Sequence, residues 1–267
     1  MIGEASKVRA EQIMDTAHQM ADAARGAILP LFRTGLVADN KRPADFDPVT
    51  EADRAAELAM REVLVRLRPE DGILGEEFGV SDGSSGLTWI LDPIDGTRAF
   101  LCGTPSWGVL IGLRDAAGAI RYGMIDQPYT GERFEGGFGL ARLSAPAGER
   151  RLETRRGIAL EQALLMTTYP EIGNAAETSA FRRVAERVRM TRYGFDCYAY
   201  GLLAMGQIDL VVEAGLQPYD VAGPIGVVQA AGGIVTDWQG GDASGGGRIV
   251  AAGSAEIHAA ALALLNG

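Results

Sequence analysis

WILDPIDGTRAF, residues 89–100, sets an apolar run (Trp89, Ile90, Leu91) directly against two aspartates, Asp92 and Asp95, with Pro93 between them and Gly96-Thr97 behind. The apolar run reads as a buried strand over about 88–91. Pro93 fixes its own φ and biases Asp92 toward extended geometry, so both carboxylates can face one place near the strand end. Gly96 allows close backbone approach, Thr97 adds a hydroxyl, and a helix starting there would offer free N–H groups to an anion. The competing reading is local: Asp92 and Asp95 close Asx-type turns at a strand terminus.

Other acids bear on the choice. Thr50 reads as the cap of a helix opening in TEAD, with Asp53 at the capping-box position. Glu76 and Glu77 stand in a Gly-flanked loop, and Asp220, in QPYDVAGP, reads as a cap of another helix. Each has a plain alternative: a dipole partner for Asp53, a cap for Asp220, a solvated loop for Glu76 and Glu77. Together they point elsewhere. Two like charges 4 Å apart repel by about 4 kcal/mol at an effective dielectric of 20, so converging carboxylates need cations. Hard oxygen donors without His or Cys suit Mg²⁺ rather than zinc, and the ion would let an anionic phosphate enter.

Outward from this stretch, helical spacing covers residues 4–29 up to Pro30, and a second helix runs from Thr50 to Arg68-Pro69. Residues 39–49 read as a polar turn region and 70–87 as an acidic loop. Strands are expected at 107–113 and 119–125, with a further short pair through TGERFEGGFG. Composition loosens over 143–162, which places a lobe boundary there, dividing the chain into 1–145 and 146–267. The second part alternates strands (164–168, 208–213, RIVAAG) with helices (179–189, 196–206, 221–231, 254–265), an α/β pattern.

The chain's 267 residues can bury a sizeable core, and 47% hydrophobic with 22% charged residues is ordinary for a soluble protein. No apolar run reaches eighteen residues, and the first residues lack a secretory core, so no membrane association is expected. The net charge of −10 argues against nucleic acid. Two cysteines form no disulfide framework, and a reducing cytoplasm is expected; two histidines, His18 and His258, leave no His-based zinc site or Ser-His-Asp triad.

Four blocks, DPVTEAD (47–53), GEE (75–77), WILDPIDGT (89–97) and YDVAG (219–223), resemble the inositol monophosphatase superfamily in order and spacing. DGTRAFLCGTPSWGVLIGL, RYGFDCYAYGLLAMGQIDLVVEAGLQPYDVAG and QAAGGIVTDWQG are most similar to its histidinol-phosphate phosphatases. Inositol-type members more often carry Thr-Asn where this chain has Arg98-Ala99, and Trp where it has Tyr219. The resemblance implies an α+β fold, a layered αβαβα sandwich of two lobes with the metal site between them. It implies two or three Mg²⁺ per subunit, held by Glu76, Asp92, the Ile94 carbonyl, Asp95 and Asp220. It casts Asp53, Thr97 and Glu76 as catalytic, and the Gly96 and Thr97 N–H groups as phosphate-binding. Glu213 matches the position contacting the alcohol. Asp196 either joins Glu213 in an acidic wall suited to a cationic alcohol or caps a helix, and Arg192 either reaches the phosphate side or is surface; both are carried as substrate-side residues. The activity implied is hydrolysis of L-histidinol phosphate, with inositol-1-phosphate or sugar phosphates as alternatives and a catalytically silent binding protein as the other class. A homodimer and a small-molecule phosphate monoester as partner are implied too.

Overall fold

The computed structural model describes residues 4–35, 39–40 and 48–267. Helix α1 (Glu4–Ile28) ends one residue before a 3₁₀ turn that contains Pro30. Two-residue strands β1 (Asp39–Asn40) and β2 (Pro48–Val49) pair antiparallel; most of the expected turn between them lies outside the described residues. Helix α2 (Glu51–Leu67) begins at Thr50 with the expected capping box to Asp53.

Strands β3 (Gly72–Gly75) and β4 (Gly79–Ser81) follow, then β5 (Leu87–Asp95), the short helix α3 (Thr97–Cys102), and β6 (Gly108–Asp115), β7 (Ile120–Gln127), β8 (Glu132–Gly137), β9 (Leu140–Ala145) and β10 (Gly148–Arg151). They form one sheet in the order β10-β9-β8-β7-β6-β5-β3-β4, antiparallel except for β3 beside β5. The acidic stretch 70–87 is therefore not a continuous loop. Its strand β3 offers only Ile73 and Leu74 as apolar residues, too short a run for a periodic signal, and gains its structure from parallel pairing with β5. The sheet runs on to Arg151, so the looser composition around 143–162 begins inside its last hairpin.

The remaining elements are β11 (Leu164–Thr167), α4 (Ala175–Ala185), β12 (Met190–Tyr193), α5 (Tyr198–Ala204), β13 (Leu210–Leu216), α6 (Pro218–Ala230), β14 (Ile234–Asp237), β15 (Gly247–Ala252) and α7 (Ala255–Leu265). The second sheet has the order β12-β11-β13-β15-β14, with β11 parallel to both neighbours and the rest antiparallel.

Three apolar layers tie these parts together. On one side of the first sheet, Trp89, Leu91, Val109, Ile111 and Leu113 pack with Met20, Ala24 and Met60 of α1 and α2. Between the sheets, Leu110, Ile125 and Phe134 meet Leu203, Val221, Ile225 and Val228 of α5 and α6, which meet Val211, Ile249 and Ala251. Outside the second sheet, Leu210, Val212 and Val250 pack on Phe181 and Val184 of α4 and Ile257 and Ala261 of α7. Alternate residues of β6, β13 and β15 thus serve different layers, as a period of two demands of a strand buried on both faces. The result is the αβαβα sandwich.

Helix α6 is buried from Val221 to Val228 because it lies between two sheets. It approaches the first sheet through glycine: a Cβ on Gly123 would lie 2.1 Å from the Gly223 carbonyl oxygen, and one on Gly226 would lie 2.4 Å from the Gly123 nitrogen. That contact sets the height of α6, and with it the position of Asp220 in its first turn. No described helix is long and apolar enough to cross a membrane.

Candidate active site

The site forms where β5 loses its register. Asp92 pairs with Leu110 but Asp95 with Gly108, so three steps on β5 span two on β6. In a regular strand, residues three apart face opposite sides. The extra residue at Pro93-Ile94, where no proline N–H is missed, returns Asp95 to the side of Asp92. One carboxylate oxygen from each of Asp92, Asp95 and Asp220 then lies within 4.8 Å of the others. The Asx reading is also realised, since Ile94 N–H donates to Asp92 Oδ1 at 3.0 Å.

Each neighbour arrives through identifiable geometry. Glu76 follows β3 in the register that sets Gly75 beside Leu91, and its N–H donates to the Leu91 carbonyl at 3.2 Å, which brings it next to Asp92. Asp220 is the third residue of α6 rather than its cap. Gln217 is the cap, and its N–H donates to Asp220 Oδ2 at 2.7 Å. Asp95 Oδ2 accepts the Cys197 N–H at 2.6 Å, a bond across 102 positions that sequence reading had no signal to find. Asp53 Oδ2 accepts the Thr50 N–H at 2.8 Å, while its Oδ1 faces the Thr97 hydroxyl at 3.4 Å. That hydroxyl also lies 3.2 Å from the Ile94 carbonyl.

Gly96 has φ +82°, and a Cβ there would stand 2.9 Å from the Asp196 carboxyl carbon. Glycine is needed on both counts. Asp196 itself has φ +45°, a left-handed conformation that Asp tolerates. It is not the cap of α5, a place taken by Cys197. Its Oδ2 accepts from the Ser106 hydroxyl at 3.2 Å. Glu213, 5% exposed on β13, accepts at Oε1 from the Thr168 N–H (2.7 Å) and the Thr168 hydroxyl (3.0 Å). Beside Thr168, the Tyr169 hydroxyl accepts from Arg98 at 2.7 Å, linking the start of α3 to the exit of β11. Arg192 is exposed on β12, opposite Met166, and among the described residues it has no hydrogen bond or ion pair to a site acid.

The electrostatics follow from crowding. Withdrawal from water, then Glu76, Asp95 and Asp220, push the Asp92 carboxyl well above the usual range. Withdrawal from water, then Asp196 and Asp220, do the same for Asp95, against the relief of the Cys197 contacts. Burial lifts Asp196 to about 6, with Ser106 and Arg98 opposing. Burial lifts Glu213 to about 7, with the Thr168 bonds opposing.

Among the described residues this is a concentration of carboxylate oxygens at one point, with Asp92 buried and both Asp92 and Asp95 resisting ionisation. A divalent cation among these hard oxygens would favour their ionised, acceptor-only form and offset their repulsion, so the group fits such an ion. The family profile for inositol monophosphatases matches residues 9–266. The chain belongs to the inositol monophosphatase family. It is similar to the protein named bifunctional phosphatase IMPL2, chloroplastic, of Arabidopsis thaliana: 39% identical, covering 98% of this chain and 78% of that one. It is 33% identical to a histidinol-phosphatase of Streptomyces coelicolor, over 94% and 95% of the two chains. The solved structure of an inositol monophosphatase from Zymomonas mobilis superposes with a TM-score of 0.85 at 41% identity, covering 96% of this chain and 98% of that one. The layered sandwich expected from the sequence is the fold this chain shares with the Zymomonas protein.

One consequence concerns stability. Glu213 binds a proton in the folded state up to about pH 7, against an ordinary value of 4.5. Its raised value means that the folded state holds a proton that the unfolded chain has released, so its contribution is complete below about pH 4.5 and is lost as pH rises through about 7. The loss is on the order of 3 kcal/mol. Glu213→Gln keeps the Oε1 acceptor for Thr168 and removes the titration. In chelator at pH 8 the variant is expected to melt several degrees above wild type, with the gap closing near pH 4.5. Equal melting at both pH values would contradict this.

Proposed function

We propose that this member of the inositol monophosphatase family hydrolyses L-histidinol phosphate to L-histidinol and phosphate, with Mg²⁺ as cofactor. The observation that carries the substrate is the acidic wall beside the metal-binding group. Asp196 lies against Gly96 and close enough to Asp95 and Glu213 to raise both, and Glu213 is buried on β13. Two carboxyls held close to their ionisation points favour a cationic alcohol, whose ammonium or imidazolium would complete their ionisation, over a neutral polyol. The histidinol-phosphatase name of the Streptomyces relative supports the reading.

Asp92, Asp95 and Asp220 would hold Mg²⁺, with Glu76 and the Ile94 carbonyl completing two or three ion sites. When bound, the metal polarises the phosphoryl oxygens and lowers the pKa of water, which is why a chain with two histidines needs no histidine base. The protein supplies position. With the Thr97 hydroxyl directed at Asp53 Oδ1, its oxygen lone pair can accept a hydrogen bond from the attacking water; as that water gives its proton to the Thr97 oxygen, the hydroxyl passes its own proton to Asp53, so Asp53 is the base. The cap bonds from Thr50 fix the other Asp53 oxygen. The N–H groups of Gly96 and Thr97 receive phosphate oxygens at the start of α3. Asp196 and Glu213 orient the alcohol so that the leaving oxygen lies opposite the water. The reading places the protein in the cytoplasm as a homodimer.

The second reading is an inositol-1-phosphatase, supported by the name of the Zymomonas structure. A phosphate-release assay on histidinol phosphate and inositol-1-phosphate decides between them. A kcat/KM at least tenfold higher for histidinol phosphate is expected, falling toward parity in Asp196→Asn. A preference for inositol-1-phosphate would replace the first reading with the second.

A further inference from the structure

The turn that carries Glu76 is held by a carboxylate that takes no direct part in the chemistry. Glu57, on α2, is fully buried. Its Oε2 accepts the Glu77 N–H at 2.7 Å and its Oε1 accepts the Phe78 N–H at 3.2 Å, the two amides immediately after Glu76. Oε1 also takes the Arg61 Nε–H at 2.8 Å, one helical turn on. Arg61 continues the clamp, donating to the Gly79 carbonyl at 2.5 Å and to the Ser81 hydroxyl at 3.0 Å. On the opposite side, the Glu76 N–H is tied to Leu91 of β5. The approach depends on Gly75, where a Cβ would lie 1.9 Å from Glu57 Oε1.

Burying an ion pair is a poor way to gain stability alone, since apolar side chains fill the same space without the desolvation cost. Here the geometry gives it another use. A carboxylate accepts from two successive amides through two oxygens, and a charge-assisted bond to each holds the peptide planes more firmly than a neutral acceptor would. Glu57 also sits four residues after Asp53 on the same helix, so one rigid element carries the base and the brace for Glu76. We infer that Glu57 is a positioning residue: by pinning the 77 and 78 amides it aims the Glu76 carboxylate at Asp92, and so sets the affinity of the divalent-ion site. This rests on the reading above that Glu76 is a metal ligand.

The test measures metal binding without turnover. Mn²⁺ is titrated into the full-length chain and free ion is followed by electron paramagnetic resonance, for wild type, Glu76→Gln, Glu57→Gln and Arg61→Ala. Melting temperatures in chelator are recorded for each. Groups that orient a metal ligand typically account for a factor of ten or more in affinity. Glu57→Gln, which offers a donor where an acceptor is needed, is expected to weaken binding about tenfold. Arg61→Ala is expected to weaken it less. A purely structural Glu57 would lower the melting temperature and leave the affinity at its wild-type value, and that result overturns the inference. Wild-type affinity in Glu76→Gln overturns the ligand reading, and the inference with it. Should Glu57→Gln fail to fold, Gly75→Ala carries the test, because it displaces the same carboxylate while keeping its charge. It is expected to weaken Mn²⁺ binding, and unchanged binding in that folded variant counts against the inference.

Discussion

Asp95→Asn is expected to cut Mg²⁺-dependent phosphate release by about a thousandfold or more and to raise the melting temperature of the metal-free protein. The two effects share a cause. Asp95 is held against Asp196 and Asp220 with little water, and its carboxyl ionises reluctantly. A raised pKa means that the contribution to stability is complete below the ordinary carboxylate value and is lost as pH rises from there toward the folded-state value, so above the ordinary range the acid works against the metal-free fold. Asn keeps an oxygen for the Cys197 N–H and removes the charge. Activity moves the other way: electrostatic stabilisation of a phosphoryl group by a metal contributes several kcal/mol, and each 1.4 kcal/mol is tenfold in rate. Phosphate release and calorimetric melting on the same preparation check both halves. A variant that turns over normally, or one less stable than wild type in chelator, would contradict the assignment.

Asp53→Asn is expected to lower kcat by about 10²–10⁴, the usual contribution of a general base, while metal binding stays near wild type. Asp53 faces Thr97 through one oxygen and the α2 cap through the other, and is not among the three carboxylates grouped for a cation. Asn can still accept the Thr50 N–H of the capping box through its carbonyl oxygen, so the fold is expected to lose about 1 kcal/mol or less. Its amide then meets the Thr97 hydroxyl as a donor, which reverses the polarity of the proposed proton path. Single-turnover rates with a parallel Mn²⁺ titration separate the effects. Loss of metal binding together with rate would move Asp53 from base to ligand.

Much of this was legible before any coordinates. The α1 and α2 faces, the Thr50 cap and the strands expected at 107–113 and 119–125, which run over 108–115 and 120–127, lie in runs long enough to carry a signal. Short elements were not legible. Strand β3 takes its structure from a neighbour, and α4 starts at Ala175 rather than 179 because Asn174 and Glu177 form a capping box upstream of its apolar face. The acids of the site could be named from their local blocks, but their convergence could not. It depends on a bulge in β5, on α6 seated through glycine contacts, and on a Cys197 N–H from the other sheet's side of the fold. Glu57 carried no signal at all, since an acid on an amphipathic helix reads as solvated until the turn packed on it is seen.

Asp92, Asp95 and Asp220 form a group that could hold a cation, and the proposal is that they are kept together against their mutual repulsion to bind a divalent one. Thermal melting at pH 7.5 in chelator and then across a Mg²⁺ series tests it most directly. Ligand binding to the folded state adds RT ln(1 + [L]/Kd), about 2.7 kcal/mol at a hundredfold excess over Kd. The wild-type melting temperature is expected to climb steadily with Mg²⁺ and that of Asp95→Asn to stay nearly flat. A wild-type protein indifferent to Mg²⁺, or a variant that climbs in step with it, would contradict the account.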